Sequence, residues 1–135
     1  MKITGGCHCG YITYEAETDP DKVSICHCTD CQTLSGAPFR ASVPAPDQAF
    51  RIISGEPAIY VKTGESGNKR VQAFCPRCGS PIYATAPGDG PKTYNIRVGT
   101  VRQLDQLTPK RQIWWRSRQR WLADLAAIPG VEKQT

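Results

Sequence analysis

Hydrophobic and polar residues alternate along several short segments of this chain. In residues 12–17 apolar side chains occupy every second position from Ile12, and residues 94–98 repeat the pattern from Tyr94. Because successive side chains of a strand point to opposite faces, this period of two predicts β-strands. Four more short runs, bounded by turn residues, are predicted as strands: 50–54, 58–62, 70–74 and 81–86. The pattern predicts an all-β fold.

One segment that departs from this period, residues 30–35, is predicted as a short helix. Thr29 and Gln32 have the spacing of a capping box, and Gly36 is a typical helix stop. The predicted helix places Cys31 in its first turn, where free backbone amides and the helix dipole favour a thiolate. A simple turn with a buried Cys31 is the alternative.

Composition sets the broad class of the protein. The chain has 135 residues, a net charge of +5 and 39% hydrophobic residues, which predicts one domain spanning residues 1–135 with a thin core. Neither a membrane span nor an apolar signal segment is visible in the sequence, so we expect a cytoplasmic protein. A core with so few large aliphatic side chains needs additional cross-links, and the seven cysteines are the candidates.

The cysteines are all grouped in motifs. Disulfides rarely persist in a reducing compartment, and seven is an odd number, so the grouping favours metal binding over disulfides or an iron–sulfur cluster. The cysteines fall into three motifs: Cys7 with Cys9, then Cys26 with Cys28 and Cys31, then Cys75 with Cys78.

Strand geometry separates the cysteines from the two histidines between them. In an extended segment, residues two apart share a side, so Cys7 and Cys9 can bind one ion while His8 points away. The same argument excludes His27 as a ligand. A structural role is then favoured for it over proton transfer through water. Seven thiolates then divide into a closed site of four and an open site of three.

The spacing indicates which cysteines belong to which site. Cys26, Cys28 and Cys31 lie within six residues and can form a local chelate with an open fourth position, as catalytic zinc sites have. Cys7, Cys9, Cys75 and Cys78 remain for a closed structural site. Soft thiolate ligands favour zinc, so we expect two zinc ions per chain, one structural and one catalytic. The alternative is one metal ion and three free thiols.

Four motifs resemble those of the glutathione-dependent formaldehyde-activating enzyme family, which includes centromere-protein-V-like proteins. They are Gly6-Cys7-His8-Cys9-Gly10, Cys26-His27-Cys28-Thr29-Asp30-Cys31, Ser35-Gly36-Ala37-Pro38-Phe39 and Phe74-Cys75-Pro76-Arg77-Cys78-Gly79-Ser80. The resemblance covers about residues 5–130 and implies a β-tent fold with the same division of zinc ligands.

The resemblance also implies an activity, the addition of a thiol to formaldehyde to give S-hydroxymethylglutathione, which is carbon–sulfur lyase chemistry. Cys26, Cys28 and Cys31 would hold the catalytic zinc, and a small thiol and an aldehyde would be the substrates. The sequence departs from the family at Gln32, where Arg or Lys is frequent, and at residues 101–103, where an acidic pair is usual. The identity of the thiol is therefore left open.

The C-terminal stretch offers a second class of function. Five basic residues between Lys110 and Arg120 interleave with Trp114, Trp115 and Trp121, a mixture that nucleic-acid binders use. A solvated strand with Arg116, Arg118 and Arg120 on one face, or a field that attracts an anionic thiol, would give the same pattern, and we favour these over nucleic acid.

The remainder of the C-terminus carries less information. Residues 122–128 are predicted as a second short helix, which the following Pro129 and Gly130 terminate. A zinc-stapled adaptor without catalysis and a homo-oligomer built on the tail aromatics also stay open.

Overall fold

The computed structural model describes residues 1–134 and is mostly β-sheet, as predicted. One helix, α1 (Thr29–Ser35), and several short 3₁₀ turns connect the strands. The strands are β1 (Lys2–Gly6), β2 (Thr13–Glu17), β3 (Ser24–Cys26), β4 (Arg40–Pro46), β5 (Phe50–Ser54), β6 (Ala58–Thr63), β7 (Lys69–Phe74), β8 (Pro81–Thr85), β9 (Thr93–Arg97) and β10 (Arg111–Ile113).

The strands form two sheets with the main core between them. The smaller sheet has the order β1-β2-β5, and the larger has the order β10-β3-β4-β9-β8-β7-β6. All neighbours are antiparallel except β10 and β3, which run parallel. The core side chains are large and fully buried, and they come from both sheets: Ile3, Ile12, Tyr14, Val43, Ile82 and Ile96.

The strands predicted from the period of two are confirmed. Tyr14 and Ala16 of β2 are buried while Glu17 is exposed, as the alternation requires. Four strands were missed: β1, β3, β4 and β10. β4 contains Pro44 and Pro46, which argue against a central strand. They are tolerated because the pairing of β4 with β3 ends at Ser42, and beyond that point β4 is bonded only to β9.

The helix is confirmed, but its first residue is not capped as predicted. Cys28, not Thr29, is the N-cap, and its sulfur accepts a hydrogen bond from the Cys31 amide at 3.2 Å. Gln32 does not complete a capping box, because its amide donates to the carbonyl oxygens of His27 and Ser117. Gly36 ends the helix with a left-handed φ of 65°, as its position predicted.

The C-terminal stretch is not the alternating strand that its sequence suggested. β10 ends at Ile113, and Trp114 follows with a positive φ of 55°. The chain then forms 3₁₀ segments at Trp115–Ser117 and Arg120–Ala127, the second of which replaces the predicted helix. Within the part of the chain that the structure describes, no helical segment has the length and hydropathy that crossing a bilayer requires.

A close approach at Gly5 generates the first prediction. A Cβ atom there would overlap the Thr100 carbonyl oxygen and the Tyr14 hydroxyl, which itself bonds Thr100 Oγ1 at 2.7 Å. Gly5→Ala is therefore expected to lower the free energy of unfolding by about 1–3 kcal/mol, measured by denaturant titration. Gly90→Ala, where a Cβ atom meets open space, is the control and should change it by less than about 0.5 kcal/mol. Equal stability of the two variants would contradict the packing at Gly5.

Candidate metal centres

Four cysteines from two distant parts of the chain converge at one end of the fold. Cys7 and Cys9 lie in the connection after β1, and Cys75 and Cys78 lie in the turn between β7 and β8. Their sulfur atoms all lie within 4.8 Å of one another, and we call this group the four-cysteine cluster. The structure thus brings together the four residues that the sequence assigned to the closed site.

Local turns aim these sulfur atoms at one point. Cys7 and Cys9 are not in an extended segment as expected, because the chain turns there and the Gly10 amide bonds the Cys7 carbonyl at 3.3 Å. The second pair forms the predicted knuckle, closed by a 2.8 Å bond from the Gly79 amide to the Cys75 carbonyl. Gly79 has a φ of 80°, which a residue with a side chain rarely adopts.

The sulfur spacing fits a tetrahedral metal site. Cys7 Sγ lies 3.6 Å from Cys9 Sγ, which lies 3.8 Å from Cys75 Sγ. A zinc–sulfur bond of about 2.3 Å in a tetrahedron places ligand sulfurs about 3.8 Å apart. Backbone amides also support thiolates here, with Ile12 N donating to Cys7 Sγ at 3.2 Å and Arg77 N to Cys75 Sγ at 3.4 Å. The four-cysteine cluster could therefore hold zinc.

Three more cysteines converge on a single strand-to-helix turn. Cys26 is the last residue of β3, Cys28 caps α1 and Cys31 lies in its first turn. Their sulfur atoms lie within 4.8 Å of one another, and we call them the three-cysteine cluster. Cys31 is buried and the other two are half-buried, so this group fits a soft metal ion with one position left for another ligand.

The three thiols do not share charge equally. The Cys26 thiol donates to Cys31, and the Arg40 guanidinium, 3.4 Å from Cys31 Sγ, adds a positive charge. Together they lower the pKa of Cys31 to about 5. The same hydrogen bond and burial raise the pKa of Cys26. Cys31 is therefore the thiolate of this cluster at neutral pH before a metal binds.

Neither histidine belongs to a cluster. His8 is exposed, whereas His27 is buried with its Nε2 2.7 Å from Gln112 Oε1. The His27 ring packs against Phe39 and Trp115, with centroids 5.9 and 5.8 Å away. These contacts support the structural role expected for His27, because its ring connects the segment just before α1 to the C-terminal stretch.

The three-cysteine cluster opens onto a groove with a volume of about 890 Å³. Cys28 lies in its wall, and the hairpin between β6 and β7 forms the opposite side. Lys62, Arg70 and Arg116 also line the groove. The acidic Asp30 and Glu65 line it too, and they pair with Lys62 at 2.9 Å and with Arg116 at 3.6 Å. The groove is large enough for a small organic ligand beside Cys28.

The basic C-terminal residues do not share one face, contrary to the alternating pattern. Arg116 lies over the Trp114 ring and lines the groove, whereas Arg118 stacks on Trp115, 4.1 Å from its centroid, outside the groove. The turn at Trp114 breaks the alternation. These contacts cover one ring face each of Trp114 and Trp115, whereas Trp121 is exposed.

Sequence reasoning missed a polar cluster behind Cys31. Arg40 and Arg97 are both buried, and Gln72 accepts hydrogen bonds from both of them. Arg97 alternates with Ile96 and Val98 in a predicted strand, and such a polar position is typical of a solvated face. Helix α1 packs on that side of the larger sheet, so both faces of the sheet are covered there. A polar residue on such a strand is buried and does not face solvent.

Fold and site together define a class: a two-sheet protein with one group of four cysteines and a second, local group of three beside a groove. The chain belongs to the glutathione-dependent formaldehyde-activating enzyme family, whose model matches residues 2–117.

Individual relatives are distant in sequence. A Schizosaccharomyces pombe protein described as an uncharacterized lyase is 26% identical over 109 residues, which cover 81% of this chain and 75% of that protein. The crystal structure of a Rhodobacter sphaeroides protein, a structural genomics target, has a TM-score of 0.61 at 18% identity, covering 81% of this chain and 98% of the other. The structural likeness supports the β-tent fold.

Zinc content of two cysteine variants tests the division of ligands. We expect two zinc ions in the intact protein. Cys75→Ser should lose most of the folded protein, because it breaks a cross-link between distant strands. Cys31→Ser should stay folded with about one zinc ion, because its cluster is local. Zinc is measured by plasma emission on the folded fraction, and a single zinc in the intact protein would contradict the division.

Proposed function

We propose that this protein catalyses the reversible addition of a small thiol to formaldehyde or a related aldehyde at the three-cysteine cluster. The observation that carries the proposal is the placement of this cluster, with Cys28 in the wall of the groove and Cys31 behind it, 3.4 Å from the Arg40 guanidinium. Membership in the family and the likeness to a lyase-named yeast protein support the same class of reaction.

Cys26, Cys28 and Cys31 would hold a zinc ion, which when bound supplies a cation that keeps an incoming thiol deprotonated at neutral pH. Three thiolates around a divalent cation carry one net negative charge, and the Arg40 guanidinium beside Cys31 offsets it. Four thiolates would complete a tetrahedral shell at the four-cysteine cluster and leave no coordination position for a substrate. The role of this cluster is structural, as a cross-link between β1 and the β7–β8 turn.

The groove supplies binding and orientation. Lys62, Arg70 and Arg116 place positive charge around the entrance beside Cys28, which favours an anionic thiol. Because Lys62 and Arg116 also pair with acidic neighbours, the attraction is moderate and the residues keep fixed positions. The groove holds the aldehyde next to the thiol sulfur. The reaction of two separate molecules then becomes effectively unimolecular, which lowers its entropic barrier.

The bond changes balance without a redox partner. The thiolate sulfur donates an electron pair to the aldehyde carbon, and the carbon–sulfur bond forms as the carbonyl π bond breaks. The carbonyl oxygen then takes a proton from water in the groove and becomes a hydroxyl. In the opposite direction the carbon–sulfur bond breaks, which is the lyase reaction.

A panel of thiols with ¹³C-labelled formaldehyde tests the activity. Exchange between free and thiol-bound formaldehyde is followed by NMR with and without the zinc-loaded protein, using glutathione, cysteine, cysteamine and 2-mercaptoethanol. We expect at least about a tenfold acceleration for an anionic thiol over the spontaneous reaction. No acceleration for any member of an extended panel would contradict an enzymatic role and favour the adaptor alternative.

Cys31→Ser tests where the reaction takes place. A serine hydroxyl is a poor zinc ligand at neutral pH, so exchange should fall to the spontaneous rate while the thermal transition moves little. Ser35→Ala, at the far end of α1, is the control and should retain the activity. Full activity in Cys31→Ser would remove the three-cysteine cluster from the mechanism.

Arg116 and Arg118 form a matched pair for testing the groove. Arg116→Gln should raise KM for an anionic thiol about two- to fivefold with little change in kcat, because it removes a positive charge from the groove wall. Arg118→Gln should leave both constants unchanged, since Arg118 stacks on Trp115 elsewhere. The difference should shrink in about 1 M salt. Equal kinetics for both variants at low salt would show that the charge at Arg116 does not guide the substrate.

A further inference from the structure

Two buried arginines lie next to each other on the side of the larger sheet that α1 covers. Arg40 at the start of β4 is 8% exposed, and Arg97 at the end of β9 is 9% exposed. Gln72 Oε1 accepts a hydrogen bond from Nη2 of each, at 3.3 Å from Arg40 and 3.0 Å from Arg97. Arg97 Nη1 also donates to Ser42 Oγ at 2.7 Å.

Strand register explains why these groups meet. Cys26 of β3 lies opposite Arg40 of β4, and Ser42 lies opposite Arg97 of β9. Gln72 of β7 projects from the same sheet and lies opposite Tyr60 of β6. Paired residues share a face of a sheet, so the register builds a row that runs from the three-cysteine cluster across the sheet.

The two guanidinium groups have no acidic partner among residues 1–134. The four ion pairs found in that part of the chain involve other residues, and the Nε atoms of both arginines are buried without a hydrogen-bond acceptor. Burying an arginine charge is costly unless an anion and further acceptors compensate it. The one shared acceptor, Gln72, is neutral. Among residues 1–134, the Cys31 sulfur beside Arg40 can supply a negative charge to the pair, whereas Arg97 has no anionic hydrogen-bond partner.

The two arginines differ in what lies beside them. Arg40 contacts Cys31 Sγ at 3.4 Å, so the thiolates of the three-cysteine cluster would balance its charge. Arg97 is hydrogen-bonded only to the neutral Ser42 and Gln72. A negatively charged ligand beside Arg97 would compensate that buried charge.

Both arginines line a cavity with a volume of about 380 Å³. Its walls are mostly apolar and include Tyr60, Phe74 and Tyr83, while Gln72 and the two guanidinium groups supply its polar part. The cavity differs from the groove at Cys28, with which it shares no lining residue. A flat anionic group on a short carbon skeleton matches this combination of planar donors and apolar walls.

We propose that Arg40, Arg97 and Gln72 form a binding site for a small monocarboxylate. The site does not rest on the proposed function, because none of Cys26, Cys28 and Cys31 lines this cavity. Arg40 connects the two places, since it lines the cavity and its Nη2 also lies 3.4 Å from Cys31 Sγ. A carboxylate bound in the cavity would therefore change the charge beside Cys31.

Binding is measured on the zinc-loaded protein by NMR of the arginine side-chain Nε–H groups. The probes are 3-mercaptopropionate, glyoxylate and inorganic phosphate, with propanethiol as the uncharged counterpart of the first. We expect saturable shifts of the Arg40 and Arg97 signals with at least one carboxylate, and none with propanethiol or phosphate. Response to either carboxylate supports the site, and the stronger of the two responses indicates which carbon skeleton the apolar walls accept.

Three variants make the test specific. Arg97→Gln should weaken carboxylate binding about ten- to hundredfold, as expected for loss of a charged hydrogen-bonding partner. Gln72→Glu places a carboxylate between the two guanidinium groups, so it should abolish binding of the free carboxylate while keeping the fold stable. Arg102→Gln, an exposed position, is the matched control and should bind normally.

The outcomes separate this site from the proposed activity. Absence of shifts with both carboxylates, or undiminished binding in Gln72→Glu, would overturn the carboxylate site even if formaldehyde exchange is accelerated. Carboxylate binding that depends on Arg97 would support the site even if the protein accelerates no exchange with any thiol.

Discussion

Thiolates that lie within 4.8 Å of one another repel, and the fold concentrates this repulsion at two places. Protons or a cation can relieve it, and the pKa is lowered at Cys31 and raised at Cys26, so the thiols of one cluster share protons unequally. A soft divalent ion would remove the repulsion at both clusters and convert each into a cross-link.

The two clusters connect the fold over different ranges. The four-cysteine cluster brings together the segment after β1 and the β7–β8 turn, so it lies between the small sheet and the large one. The three-cysteine cluster spans one turn. Its geometry is maintained by the N-cap bond at Cys28 and by the buried Arg40 beside Cys31. One group of cysteines is therefore long-range in sequence, and the other is local and lies beside the groove.

The sequence predicted the parts of this molecule that depend on local pattern. Alternation predicted β2 and β9, because side-chain direction follows directly from backbone period. Cysteine spacing predicted both clusters, although Cys7 and Cys9 converge through a turn and not through an extended segment. Failures came where neighbours override the local pattern. β4 is a central strand despite Pro44 and Pro46. Neither proline has an N–H to donate, but β3 pairs only with residues 40–42 of β4, so no bond to β3 is lost. Arg116 and Arg118 diverge because Trp114 adopts a left-handed conformation that alternation cannot anticipate.

The burial of Arg40 and Arg97 could not be predicted from the sequence for a related reason. A polar residue at every second position normally indicates a solvated face, and Arg97 follows that pattern. In the structure the face is covered by α1, whose position is fixed by the same turn that assembles Cys26, Cys28 and Cys31. The helix that completes the three-cysteine cluster thus also encloses the positive charges that face it. The positive charges beside Cys31 thus result from the packing of this turn and α1 onto the sheet. The sequence of the turn or of a single strand does not indicate that they meet.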